Sequence, residues 1–242
     1  MWRMVMSLQG RTRIDHALCM AFGTQAAEVI VHAQRHARIQ TISDNCVIYY
    51  QDDPTEQLWF VLRGHVRLTY IAEDGLVTLH AIMPAGGFIG EAGALEALDH
   101  CDTAYSAGEV ELLCIDLAAL AGDRPEAREL RMLVGAMIAR NYRRMVEFTR
   151  ALYRPTLSMR LSYLLLQLLD SMGNDIRWKG RQVRCIGPVV TQRDIGAMAR
   201  GTRENVNKAL RKWQQQGILA LEDRHIIVLD PVQLGQHIHE SD

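Results

Sequence analysis

The sequence predicts an α+β protein built from an N-terminal β-roll of the jelly-roll type, one long helix and a C-terminal winged helix-turn-helix. Three observations carry that expectation. Short apolar runs separated by turn residues fill residues 36–115, as in a many-stranded β domain. The apolar period then lengthens from two to about 3.6 across residues 128–153, where Gly135 is the sole glycine and no proline intervenes. Beyond Pro155, two short helices with capping residues precede an alternating hairpin. A length of 242 residues accommodates two or more compact units. The expected boundaries are 1–123 for the roll with its N-terminal helix, 124–153 for the long helix and 154–242 for the winged unit.

In chain order, residues 26–35 read as a short helix. Seven strands follow: His36–Ile42, Cys46–Gln51, Leu58–Arg63, Val66–Ala72, Val77–Met83, Asp102–Ala107 and Glu111–Ile115. Turn residues punctuate them at Ser43-Asp44, Asp52-Asp53-Pro54, Gly64, Asp74-Gly75, Pro84-Ala85-Gly86-Gly87 and Gly108. Seven short strands suit a closed roll or sandwich.

The long helix carries Leu130, Val134, Met137, Met145, Phe148 and Leu152 at near-heptad spacing, with Asn141 in the seam. Such a stripe fits a homodimer helix, because a buried Asn commonly sets register between paired helices and Arg140, Arg143 and Arg144 flank the seam. The alternative is that the stripe covers the chain's own β domain. Pro155 excludes helical geometry at Arg154 and ends the helix.

Residues 156–172 form a further amphipathic helix, stopped at Gly173-Asn174. Residues 178–184, with Lys179-Gly180 inside, read as irregular or hairpin structure. Thr191 is placed to cap one helix, with Asp194 three residues on, and Thr202 to cap a second, with Gly201 in the turn between. Gly217 can end the second helix, after which 218–221 and 225–229 alternate around Glu222-Asp223-Arg224 as a wing.

Composition and charge exclude several function classes. With 48% hydrophobic and 23% charged residues the chain is neither disordered nor fibrous. The longest apolar stretches, 26–33 and 161–169, are interrupted by Glu28, His32, Ser162 and Gln167 and fall short of the roughly 18 residues of a membrane span. No signal-peptide pattern is found in residues 1–30, so the expected location is the cytoplasm. Cys19, Cys46, Cys101, Cys114 and Cys185 stand singly, without a C-x-x-C pair, and read as reduced thiols. Neither a catalytic motif nor a metal-ligand motif is visible. The net charge of −1 hides a polarity: residues 1–123 carry −9, whereas 124–153 and 154–242 each carry +4. Within 177–212 ten basic side chains meet only two acidic ones, the footprint of a surface that meets phosphate.

On the second short helix Val206, Leu210 and Trp213 share one face, leaving Arg203, Glu204, Asn207, Lys208 and Arg211 on the other. Arg203 and Lys208 can donate to guanine O6 and N7 and Glu204 can accept from cytosine N4, enough to discriminate bases in a major groove. Glu204 and Lys208 also stand at the spacing of an ordinary helical ion pair.

The run Thr191-Gln192-Arg193-Asp194-Ile195-Gly196, through Thr202-Arg203-Glu204-Asn205-Val206-Asn207-Lys208, to Gln216-Gly217-Ile218-Leu219 resembles the helix-turn-helix of the CRP/FNR superfamily, the bacterial catabolite-activator and fumarate–nitrate regulators. Upstream, residues 60–68 resemble the strand–Gly–strand signature of its cyclic-nucleotide-binding-like roll. Phe88-Ile89-Gly90-Glu91-Ala92-Gly93 resembles the start of its phosphate cassette. The resemblance implies a homodimeric transcription regulator of double-stranded DNA, with base reading by Arg203, Glu204 and Lys208 and phosphate contacts from Arg193, Thr202 and Asn205. It implies a pseudo-palindromic operator with half-sites about 34 Å apart, a half-site resembling TGTGA, and RNA polymerase as a partner if the protein activates.

The implied effector pocket comprises Gly90, Glu91, Asp102, Thr103, His80 and Met145. The family's Arg-Ser phosphate fork is replaced here by Asp102-Thr103, and its purine-binding Thr-Ser pair by Met145-Val146. A carboxylate repels the anion that an arginine grips, so cyclic AMP is not the expected effector. An iron–sulfur sensor needs N-terminal cysteines beyond the lone Cys19, whereas His80, or His100 with Cys101, are candidate haem ligands. A small organic effector, thiol-based redox control and no effector at all stay open, and no cofactor is assigned. A metal-dependent cupin-like enzyme is the alternative from another class, but the roll contains no H-x-H pair.

Overall fold

The computed structural model describes residues 37–75, 77–96 and 98–238; the helix expected over 26–35 lies outside them, as does Cys19. The chain divides into two compact units, one containing residues 37–77 and 81–141 of those described, the other 78–80 and 142–238.

The first unit is built on an antiparallel sheet of β1 (Ala37–Ile42), β2 (Val47–Tyr49), β3 (Gln57–Ile71), β4 (Val77–Pro84), β5 (Phe88–Ile89) and β6 (Thr103–Asp116). The order is β1-β6-β3-β4, with β2 also on β6 and β5 on β3. The seven expected strands are thus six. Runs 58–63 and 66–72 fuse into β3, 102–107 and 111–115 fuse into β6, and β5 was not anticipated. Gly64 and Gly108, expected as turns, are left-handed positions within continuous strands, with φ of 87° and 79°. The β3–β6 register slips between Val61 and His65, so the extra residues form bulges that bend the ribbon without breaking it. A Cβ at Gly64 would come within 2.5 Å of the Glu109 carbonyl oxygen, which reserves the position for glycine.

Because strand side chains alternate, β3 and β6 feed two cores. Trp59, Val61, Leu112 and Cys114 join one with Tyr49, Val66 and Ile89. Leu58, Phe60, Leu113 and Ile115 join the other, which receives α2 (Pro125–Leu152). Between the strands lies α1 (Glu91–Glu96).

Proline is well placed at the first position of α2, where its missing N–H would have had no intrahelical partner. The expected seam requires correction over its first half. Leu130, Val134 and Met137 are 1%, 0% and 3% exposed and pack against the unit's own Leu58, Phe60 and Phe88. Asn141 Nδ2 donates to Glu91 Oε1 at 2.8 Å, so it is engaged by the roll and not free to set a helix–helix register. Along the remainder, Met145 is exposed while Phe148 and Leu152 are half-buried. The roll's apolar face lies within reach of α2, and covering it needs no second chain.

After the end of α2, the second unit continues with α3 (Leu157–Met172), capped by Thr156 Oγ1, which accepts from the Met159 N–H at 3.2 Å. Next come β7 (Asn174–Trp178), β8 (Arg181–Ile186), α4 (Gln192–Met198), α5 (Arg203–Gln215), β9 (Leu219–Glu222), β10 (His225–Val228) and α6 (Pro231–Gln236). The segment read as irregular or hairpin is a hairpin turning on Lys179 and Gly180, both at positive φ. The four strands form one antiparallel sheet in the order β7-β8-β10-β9. The Ser162 hydroxyl, buried on α3, donates to the Leu234 carbonyl of α6. No described helix is long and apolar enough to cross a membrane.

Val134→Asp should therefore lower stability by several kcal/mol, since it places an unpaired carboxylate in a dry core, whereas Met145→Asp on the exposed side should change it by about 0.5 kcal/mol or less. Urea denaturation of the two variants beside wild type measures this; equal losses would refute the assignment of the inward face.

Candidate nucleic-acid interface and effector pocket

Two helix starts build the candidate DNA surface. At α4 a complete capping box holds Thr191 and Asp194 together: the Asp194 N–H donates to Thr191 Oγ1 at 3.1 Å, and the Thr191 N–H donates to Asp194 Oδ2 at 2.8 Å. At α5 the Asn205 N–H donates to Thr202 Oγ1 at 3.3 Å. The turn joining the two helices is tight. Gly201 N–H donates to the Gly196 carbonyl at 2.9 Å, and a Cβ on Gly201 would lie 2.6 Å from Leu157 Cδ1. From α3, Arg160 Nε donates to the Ala199 carbonyl at 2.8 Å, anchoring the same turn.

Val206, Leu210 and Trp213 are fully buried beneath α5, which turns Arg203, Glu204 and Lys208 to solvent. Among the described residues none of these three forms an ion pair, so the helical Glu204–Lys208 pair that spacing allows is not made. Arg193, Thr202 and Asn205 are likewise exposed. A cleft of about 580 Å³ is lined by Thr191, Gln192, Arg193 and Arg203 on the helix side and by Asp223, Arg224 and His225 of the wing on the other. Arg224 was not among the residues expected from sequence. It stands at the wing tip with φ of 66° and donates to the Pro188 carbonyl at 3.4 Å. The signal that could have found it is the two-residue turn Asp223-Arg224, which must project whatever it carries.

The candidate effector cassette lies in the first unit. Gly90, with φ of 75°, is backed by aromatic rings: a Cβ there would stand 3.0 Å from Trp59 Cζ3 and 3.2 Å from His100 Cε1. Glu91 accepts from Asn141 of α2. Asp102 is buried and accepts from the Tyr49 hydroxyl at 2.8 Å, while Thr103 Oγ1, fully buried, accepts from the Gln51 N–H at 2.9 Å. Burial and the Asp102 carboxylate hold the Tyr49 phenol well above its ordinary pKa, fixing it as a donor. The Tyr49 ring stacks on His100 at 3.9 Å between centroids and on Trp59 at 5.1 Å. His100 has its pKa lowered by burial, against the opposing pull of Asp102, Asp53 and Asp99.

The structure thus brings together Gly90, Glu91, Asp102 and Thr103 with three aromatic groups, of which sequence reasoning named only His100. His80, half-buried on β4, and Met145, exposed on α2, fall in the other compact unit. The Cys101 thiol is pushed up by burial and by Asp102, which disfavours the thiolate that redox sensing uses. Among the described residues, no three His, Cys, Asp or Glu side chains are arranged to hold a metal ion.

Residues 39–122 match the cyclic nucleotide-binding domain family and residues 159–236 the Crp-like helix-turn-helix domain family. A CRP-like cAMP-activated global transcriptional regulator of Mycobacterium tuberculosis is 27% identical over 192 residues, covering 78% of this chain and 83% of that protein. The transcriptional regulator LdrP of Thermus thermophilus is 28% identical over 200 residues, covering 81% and 92%. Among solved structures, FixK2 of Bradyrhizobium japonicum shares the fold with a TM-score of 0.70 at 22% identity, covering 85% of this chain and 99% of that one. A nucleotide-cassette roll followed by a long helix and a Crp-like winged reading head defines a DNA-binding transcription regulator, not an enzyme. The chain belongs to the CRP/FNR superfamily.

Proposed function

We propose that the chain acts in the cytoplasm as a homodimer on a pseudo-palindromic operator, with an effector in the roll coupled through α2 to the orientation of the reading heads. The observation that carries the DNA reading is the solvent-facing trio Arg203, Glu204 and Lys208 over the buried Val206, Leu210 and Trp213. Arg203 and Lys208 donate to guanine and Glu204 accepts from cytosine, while Arg193, Thr202 and Asn205 hold phosphates. The resemblance supports a half-site close to TGTGA, and RNA polymerase becomes a partner where the protein activates.

Dimerisation is assigned to the side of α2 that the roll leaves uncovered. Met132, Gly135, Ala139, Tyr142, Val146, Thr149 and Tyr153 recur at alternating spacings of three and four. Met132, Tyr142 and Tyr153 are 75%, 65% and 85% exposed, and a Cβ at Gly135 would meet open space. Large apolar side chains exposed at heptad spacing beside a glycine suit close packing against a second helix.

The M. tuberculosis relative is cAMP-activated by name. For this chain we assign a different effector. Asp102 stands where the phosphate fork would be, buried and bonded to Tyr49, and Glu91 adds a second carboxylate. Loss of a buried arginine–phosphate pair forfeits several kcal/mol, which one ribose hydrogen bond, about 0.5–1.5 kcal/mol net, does not restore.

Three measurements follow. Arg203→Ala should cost about 1–3 kcal/mol at a selected operator and relax one base, whereas Arg193→Ala should weaken all sequences alike and flatten the salt dependence. An unchanged affinity for Arg203→Ala would mean that α5 is not the reader. Met132→Asp with Tyr142→Asp should shift sedimentation from dimer to monomer at micromolar concentration while leaving the melting of the roll unchanged; a persisting dimer would place the interface elsewhere. Calorimetric titration with cyclic AMP should give no micromolar binding and no rise in operator affinity, and either one would overturn the effector assignment.

A further inference from the structure

A second cavity of about 530 Å³, within the range of small-molecule sites, shares Trp59 and His100 with the rings that back Gly90. The exposed Tyr50 ring and the buried, mutually stacked rings of Tyr49, Trp59 and His100 stand in its lining together with Asp53 and Glu56. From this juxtaposition we propose that the cavity binds an organic ammonium, a protonated amine carried on an apolar or aromatic body.

Four features point to that class. Aromatic faces attract a cation through their quadrupole and shelter its apolar body. The Asp53 and Glu56 carboxylates are exposed and are in no ion pair with a described residue. No lysine or arginine lines the cavity, and Arg38, near its rim, is engaged by Gln57 Oε1 at 3.3 Å. His100, only 3% exposed, is hydrogen-bonded through Nδ1 to Thr55 Oγ1 at 3.4 Å, while its Nε2 has no partner among the described residues. In the neutral tautomer that carries its proton on Nδ1 and donates to Thr55, Nε2 is the acceptor that suits an ammonium N–H. An anion would meet the two carboxylates of Asp53 and Glu56 in the lining, with Arg38 the cation near the rim.

The backbone holds this arrangement in place. The His100 N–H donates to the Asp53 carbonyl at 2.9 Å and the Asp52 N–H donates to the His100 carbonyl at 2.8 Å, so the loop bearing Asp53 is clamped to the residue bearing the acceptor. A ligand pressed on Trp59 and His100 also touches the wall against which Gly90 packs, one residue from Glu91 and its bond to α2. The cavity is therefore placed to influence the cassette, while its occupancy does not depend on the DNA-binding reading.

The test uses the full chain and calorimetric titration with 2-phenylethylammonium, its neutral analogue 2-phenylethanol, and cyclic AMP as the anionic comparison. The expected result is binding of the ammonium in the micromolar to low-millimolar range, at least about tenfold tighter than the alcohol. The double variant Asp53→Asn with Glu56→Gln, at exposed positions that spare the core and keep the Asp53 backbone bond, should weaken ammonium binding about tenfold or more. Tyr50→Ala, also exposed, should weaken it while leaving the melting temperature unchanged. Absence of ammonium binding up to about 10 mM, equal binding of the alcohol, or full affinity in the double carboxamide variant each overturns the proposal. Operator affinity of the same samples, measured without ligand, reports on DNA binding separately.

Discussion

The packing of Leu130, Val134 and Met137 onto the Leu58, Phe60 and Phe88 surface of the roll constrains everything else α2 can do. A helix presents each side once per turn, so committing one stripe to the unit's own core decides which residues remain on the other. The same commitment positions Asn141 over Glu91 and so joins the helix to the cassette by a hydrogen bond as well as by apolar contact. A charged acceptor strengthens such a bond relative to a neutral one. Without the buried stripe, neither the bond nor the free face would have a defined direction.

Much of the second unit was legible in the sequence because its signals are local. The caps at Thr191 and Thr202 and the wing turn at Asp223-Arg224 depend on residues three or four apart, and each appears where its chemistry required. In the roll, the turn glycines were read correctly as special positions but assigned the wrong job. Gly64 and Gly108 bend strands that continue through them, and the distinction depends on the bulged β3–β6 pairing of residues some forty apart. The stripe on α2 illustrates a different limit. Two apolar series run along this helix, and spacing alone cannot say which faces the chain itself.

The pocket was legible by what it lacks and not by what fills it. Asp102 in place of an arginine was visible at once, but its partner Tyr49 lies 53 residues earlier, and the stack of Tyr49, His100 and Trp59 is assembled from three separate segments. An apolar-looking strand gives no hint that its tyrosine will aim a hydroxyl at a buried carboxylate. The match to the cyclic nucleotide-binding domain family thus coexists with a buried polar pair, Asp102 and Tyr49, that only the fold brings together.

The hydrogen bond from Ser162 to the Leu234 carbonyl spans 72 residues and stitches α6, the final described helix, to α3. That span has a consequence for the order in which the nascent chain can become rigid. Domains fold largely as units while the ribosome delivers them from the N-terminus. The roll can settle as soon as α2 has emerged to cover it. α5, by contrast, waits for α6 before its scaffold is closed, so synthesis delivers a finished roll before a finished helix-turn-helix unit.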